Sequence, residues 1–136
     1  MRPDKTALTR RRLPPGVHAV NEGLAFVLEL LALGALAWWG ADAGGGLAAK
    51  IVLGAGAPVL AAVTWGLFAA PRARFRVPLA AVLVVKAIVF GLAAVALAAT
   101  GRAGLAIAFA AVVVLNTALA TVDRDAIRRG AGTPAR

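Results

Sequence analysis

Four long apolar stretches dominate this sequence and constrain its fold more than any other feature. They cover about residues 20–40, 47–70, 77–99 and 104–122. Roughly 20 residues of α-helix, at about 1.5 Å rise per residue, cross a hydrocarbon core of about 30 Å. Each stretch is therefore long enough for one transmembrane helix. The sequence predicts an all-α fold, a bundle of four transmembrane helices.

The composition favours a bilayer over water as the surroundings of these helices. Apolar residues make up 61% and charged residues 15% of the 136 residues. Soluble domains average about 45–50% apolar and about 25% charged residues. A soluble chain of this length needs more polar surface to cover its core. We therefore expect an integral membrane protein.

Polar segments flank and separate the apolar stretches. Residues 1–19 contain five Lys or Arg, three Pro and one Gly, which predicts a basic cytoplasmic tail because such a segment cannot bury a core. Residues 123–136 form a second polar tail. Gly-rich and polar turns are predicted at 41–46 and 100–103, and a basic loop at 71–77.

Basic residues concentrate on one side of this topology. Of the 15 Lys and Arg, five precede the first stretch, three lie in the loop between the second and third, and four follow the fourth. Short segments rich in Lys and Arg stay in the cytoplasm. We therefore expect both termini and the middle loop to be cytoplasmic.

A competing interpretation treats the first stretch as a cleaved signal peptide. Residues 41–43 (Ala-Asp-Ala) fit a small-x-small cleavage site, and the three Arg at 10–12 resemble a twin-arginine signal. However, the stretch of about 20 residues exceeds a signal core of about 7–15 residues, and Glu29 interrupts it. Cleavage would leave three spans.

Two charged residues are predicted to lie inside the bilayer, where a charge costs about 2.5–3.5 kcal/mol on insertion scales. Glu29 and Lys86 each lie nine residues beyond the cytoplasmic start of a span, at about 13 Å depth. Equal depth and opposite charge predict an ion pair between the first and third helices. The pair is either a structural contact or part of a proton or ion pathway.

Asn116 and Thr64 complete this predicted polar layer. Each lies about six residues from the cytoplasmic end of its span, where it can approach the charged pair. Side-chain hydrogen bonds between membrane helices contribute about 0.6 kcal/mol each, so we expect these residues to join helices. Asn21 is expected at the inner interface, as a cap of the first helix.

Small residues at four-residue spacing predict close helix contacts. The pairs are Ala57 with Ala61, Ala87 with Gly91, and Gly104 with Ala108. Such faces suit association with further copies of the chain or with another membrane protein. Besides the lipid bilayer itself, the basic tails can bind anionic lipids, at about 1 kcal/mol per residue near the surface.

Few residues can support catalysis or hold a metal ion. The chain has no Cys, no Tyr and one His, which leaves no pairing of nucleophile with base and no thiolate or imidazole cluster. We expect neither an enzyme nor a cofactor. The net charge of +9 indicates nucleic-acid binding only on a soluble fold with a basic face, so no nucleic acid is expected.

Many positions along the spans match a known pattern. They are Asn21, Leu24, Phe26, Leu28, Glu29, Leu30, Ala32, Leu33, Ala35, Leu36, Trp39 and Gly40 in one run, Gly56, Ala57, Pro58, Ala61, Ala62, Val63, Trp65, Gly66, Phe68, Ala70 and Pro71 in another, and Phe90, Gly91 and Asn116. On these positions the chain resembles the YrdB-like family of small bacterial four-helix membrane proteins. The resemblance implies an inner-membrane protein of uncharacterised activity. It also implies an acidic residue where Lys86 stands, so the predicted ion pair does not extend to the family.

Two functions stay open on the sequence alone. The first is a noncatalytic accessory or interaction protein that associates through Ala- and Gly-lined helix faces. The second is a small transporter with an intramembrane Glu29 and Lys86 site, since a carboxylate in the first of four helices resembles the small multidrug exporters, which couple protons to cations. Lys86 opposes the second function because a neighbouring ammonium keeps a carboxylate ionised.

Overall fold

The fold consists of four α-helices. A computed structural model describes residues 14–70 and 72–131, with side chains described up to residue 122. The helices are α1 (Pro15–Ala43), α2 (Leu47–Phe68), α3 (Leu79–Ala99) and α4 (Ala103–Ala131). Each contains a stretch long and apolar enough to span a membrane. The predicted all-α class with four membrane-length helices is therefore confirmed, and the chain has the pattern of a multi-pass membrane protein.

The first and last helices of the chain, α1 and α4, extend beyond the predicted spans. Helix α1 begins at Pro15, five residues before the predicted start, because proline at the first helical position lacks only an N–H that has no partner there. Helix α4 continues to Ala131, through much of the predicted polar tail. The rest of both predicted tails, residues 1–13 and 132–136, lies outside the described residues.

Helices α1 and α3 form the centre of the bundle. Within the described residues each of them contacts the three other helices, whereas α2 and α4 contact α1 and α3 but not each other. In cross-section the bundle is therefore a diamond with α1 and α3 on its short diagonal. Short connections make consecutive helices antiparallel.

The core lies along this diagonal. Ala32 of α1 and Ala93 of α3 are fully buried, and Ala35 and Ala96 are nearly so. Small side chains let two helix backbones approach closely in a membrane. Larger residues then close the core around them: Leu28, Leu36, Phe90 and Phe109.

The small-residue pairs predicted from spacing are not the ones that form this core. Both members of the pair beginning at Ala87, and both of the pair beginning at Gly104, are exposed. Ala57 and Ala61 of α2 do pack against the core and are partly buried. Of the three pairs predicted from four-residue spacing, one therefore lies at a contact between helices. The spacing does not select the contact face because every helix face of so Ala-rich a chain carries small residues.

The predicted turn at 100–103 is confirmed, and its geometry requires glycine. Gly101 has a φ of +79°, in the region that side chains with a Cβ rarely adopt. The Arg102 N–H donates to Leu97 O (3.1 Å) and the Gly101 N–H donates to Ala98 O (3.0 Å), which is the paired pattern of a Schellman motif. The turn also places the Arg102 guanidinium 3.8 Å from the centre of the Trp38 ring.

Helices α1 and α2 cross in close contact at Gly40. This residue is buried, and a methyl group built on it overlaps backbone atoms of Leu53 and comes within 2.6 Å of the Gly54 nitrogen. A methyl group placed on Gly34 of the same helix has no other atom within 4 Å. The crossing therefore needs glycine at position 40 and tolerates alanine at position 34.

Gly40→Ala is expected to destabilise the fold by about 1–3 kcal/mol, because a backbone contact must open to admit the methyl group. Gly34→Ala is the matched control and is expected to be neutral or stabilising by up to about 1 kcal/mol, since Ala is the better helix former. The free energy of unfolding in detergent micelles, followed by circular dichroism, measures both. Equal stability of the two variants would show that the helices do not meet at position 40.

Candidate functional site: a charged layer between α1, α2 and α3

Glu29 is the central residue of α1 and lines a cavity of about 230 Å³ between α1, α2 and α3. The other lining residues are all hydrophobic: Phe26, Leu30, Leu33, Ala61, Ala62, Trp65, Val89 and Phe90. The carboxyl-bearing side chain is half-buried. The cavity thus combines one acidic group with aromatic and aliphatic walls.

Lys86 lies next to this cavity, on the face of Trp65. Its Nζ is 4.8 Å from the centre of the ring, a cation–π contact. Among the described side chains, the Lys86 ammonium and the Glu29 carboxyl are not within ion-pair distance of each other. The predicted direct ion pair is therefore absent. Equal depth along two helices does not fix the direction of each side chain, and Trp65 of α2 contacts the ammonium instead.

Trp65 belongs to a series of aromatic rings that runs across three helices. Its ring meets Phe90 of α3 edge-on, with 6.2 Å between ring centres. Phe90 in turn lies 6.0 Å from Phe109 of α4. Edge-on and tilted aromatic pairs add about 0.5–1.5 kcal/mol beyond their buried area. The series holds the ring that contacts Lys86 in a fixed position.

A second polar contact joins α1 to α4. The Asn116 Nδ2 donates to both the backbone O and the Oδ1 of Asn21, each at 2.8 Å, and the Asn21 Nδ2 lies 3.4 Å from the Asn116 backbone O, to which it donates. Both residues are buried. Asn116 therefore joins helices as predicted, but its partner is Asn21, which was expected to cap the first helix.

The assignment of Asn21 as a helix cap is wrong because α1 begins at Pro15, which places Asn21 inside the helix. A signal for the pairing was present in the sequence. Asn21 and Asn116 both interrupt apolar stretches near the side of the bundle where the chain ends lie. A lone amide in an apolar helix needs a hydrogen-bond partner, and each is the nearest candidate for the other.

Thr64 lies apart from this pair. Its Oγ1 donates to Leu60 O at 2.8 Å, within α2, and α2 does not contact α4 in the described residues. Thr64 instead lines a second, larger cleft of about 390 Å³ between α2 and α3, which Leu36 and Trp39 of α1 also line. Its predicted role as a link between helices is therefore not realised.

The interfacial side chains His18 and Glu22 lie near the start of α1. The His18 Nε2 is 3.7 Å from the Glu22 Oε1, and both side chains are largely exposed. Among the described residues, no group of three or more His, Cys, Asp or Glu side chains is arranged to hold a metal ion.

Comparison with known proteins adds one match. A family described as "Protein of unknown function (DUF2568)" matches residues 23–114, a region that contains Glu29, Lys86 and Trp65. No curated protein and no solved structure matches the chain. The match supports the expected family of unknown function, although it does not carry the YrdB-like name.

Replacing either buried amide is expected to remove the hydrogen bond from Asn116 Nδ2 to Asn21 Oδ1, while the remaining amide keeps its bond to the backbone O at the other position. Asn21→Leu and Asn116→Leu are each expected to lower the free energy of unfolding by about 0.6–1.7 kcal/mol. The double variant is expected to cost less than the sum of the single variants, because both single losses include the same bond between the two side chains. Thr64→Val, which removes a bond within one helix, is the control. Additive losses in a double-mutant cycle would mean that the two amides do not interact.

Proposed function

The chain belongs to the DUF2568 family of proteins of unknown function, and on this premise we propose that it is a noncatalytic accessory protein of the bacterial inner membrane. In this proposal it binds a transmembrane helix of a different membrane protein. The observation that carries the proposal is the exposure of α2. This helix is apolar, yet none of its residues is buried.

Helix α2 is bound to the bundle on one side only. It packs on α1 and less extensively on α3, and it does not contact α4 in the described residues. The other helices each bury several residues, including Ala106, Phe109 and Asn116 of α4. Most of α2 is therefore left for lipid or for another helix to cover.

The cleft between α2 and α3 suits a helix. Its walls include the small residues Ala57, Ala61 and Ala96, which let another backbone approach closely. Ala61 and Val89 also line the Glu29 cavity, so the cleft and that cavity are adjacent. The expected partner is an apolar transmembrane helix that carries a basic or hydrogen-bond-donating side chain at the level of Glu29.

Ala57→Phe fills the cleft and is expected to abolish co-purification of the partner. The matched control is Ala55→Phe, because Ala55 is exposed on the same helix and lines neither cavity. Affinity capture in mild detergent, followed by mass spectrometry and sizing, compares the two variants with the wild type. Loss of self-association alone would identify a second copy of the chain as the occupant and overturn the proposal. Equal retention of a partner by both variants would also overturn it.

The proposal includes an orientation, with both termini and the α2–α3 loop in the cytoplasm. It is supported by the distribution of Lys and Arg along the chain. Reporter fusions after Gly45 and after Arg102 are expected to report the periplasmic side. A cytoplasmic result at either position would contradict this orientation.

A small transporter is the second candidate, favoured by the half-buried Glu29 in its cavity. The aromatic walls suit an apolar cation. This candidate predicts that proteoliposomes driven by a proton gradient move tetraphenylphosphonium. Glu29→Gln abolishes that movement, and Glu22→Gln, at an exposed carboxylate of the same helix, preserves it. No transport by the wild type, or equal transport by Glu29→Gln, would exclude a role of this carboxylate in moving that cation.

A further inference from the structure

The loop between α2 and α3 is folded against the end of α2. The Ala73 N–H donates to Ala70 O at 3.0 Å, and the Phe75 N–H donates to Leu67 O at 3.1 Å. The ring of Phe75 stacks on that of Phe68, with 5.6 Å between ring centres and 23° between planes. These contacts hold the described part of the loop against the C-terminal end of α2.

The positive charge of this loop has no carboxylate partner among the described side chains. Arg72, Arg74 and Arg76 are exposed, and none of them has a carboxylate within ion-pair distance among the described side chains. The sequence from residue 47 to residue 122 contains no Asp or Glu. An anion that approaches this loop therefore meets no competing acidic group from α2 or α3.

Two of the three arginines line a concave surface together with apolar residues. The concavity has a volume of about 450 Å³, and Arg72 and Arg76 line it together with Phe68, Phe75 and Val82. Arg74 does not line it. Two guanidinium groups therefore lie beside aromatic and aliphatic side chains. A cluster of charges that contacted only water would not require these apolar neighbours.

We propose that this surface is a binding site for an anionic glycerophospholipid. Arg72 and Arg76 bind the oxygens of its phosphodiester group, because the guanidinium fork matches phosphate geometry. The glycerol and upper acyl chain lie on Phe68, Phe75 and Val82. The loop connects the ends of two membrane-length helices, which puts it at the level of the lipid headgroups.

A general attraction between basic loops and anionic membranes makes a different prediction. In that case the three arginines contribute equally, since each carries one charge at a similar position near the surface. In a site, the two arginines that line the concavity contribute more than Arg74. The chain therefore offers its own control, because Arg74→Gln removes the same charge from the same loop.

The test measures how many phosphatidylglycerol molecules stay bound to the detergent-purified protein, relative to phosphatidylcholine, by native mass spectrometry. Arg72→Gln and Arg76→Gln are each expected to weaken phosphatidylglycerol binding about fivefold, the equivalent of about 1 kcal/mol. Arg74→Gln is expected to bind like the wild type, and Arg76→Lys to fall between wild type and Arg76→Gln. The ratio of the two lipids within each variant corrects for any loss of folded protein.

Three results would overturn the proposal. Equal weakening by Arg74→Gln would indicate general electrostatic attraction. Equal retention of phosphatidylcholine by the wild type would show that the headgroup is not recognised. Displacement of phosphatidylglycerol by inorganic phosphate would indicate a site for a soluble anion. These outcomes are independent of the partner helix proposed for α2, which Ala57→Phe tests.

Discussion

The close approach of α1 and α3 is the contact on which the rest of this structure depends. Lipid is as apolar as the helices themselves, so helix association in a membrane relies on packing and on hydrogen bonds. Ala32 and Ala93 provide the packing, with both side chains fully buried. Because these two helices occupy the short diagonal, α2 and α4 are kept apart. The cleft on one side of α3 and the exposure of α2 both follow from this geometry.

Polar groups within the bundle are satisfied in two different ways. Asn21 and Asn116 bond to each other and join α1 to α4, while the ammonium of Lys86 rests on the ring of Trp65. Among the described residues, Glu29 is the one ionisable residue that lines the cavity between α1, α2 and α3. The three helices thus surround an acidic group with apolar walls, which is the reason that the proposed partner helix and the candidate transport function both centre on Glu29.

The two proposed sites lie at different levels of the same pair of helices. The cleft between α2 and α3 is lined by small residues such as Ala57, and the folded loop that joins these helices presents Arg72 and Arg76 together with apolar residues. In the two proposals the loop binds a lipid headgroup, and the cleft binds a helix within the hydrocarbon layer.

The sequence by itself determined the number of helices, their approximate ends and the charged residues within them, because span length and hydropathy are local properties that the bilayer imposes on each segment. It did not determine which faces meet. The pairing of Asn21 with Asn116, the contact of Lys86 with Trp65, and the core at Ala32 and Ala93 depend on the rotation of each helix about its axis. An apolar helix in lipid has similar polarity on every face, so hydropathy does not encode that rotation. Only the packing of side chains in the tertiary structure decided it.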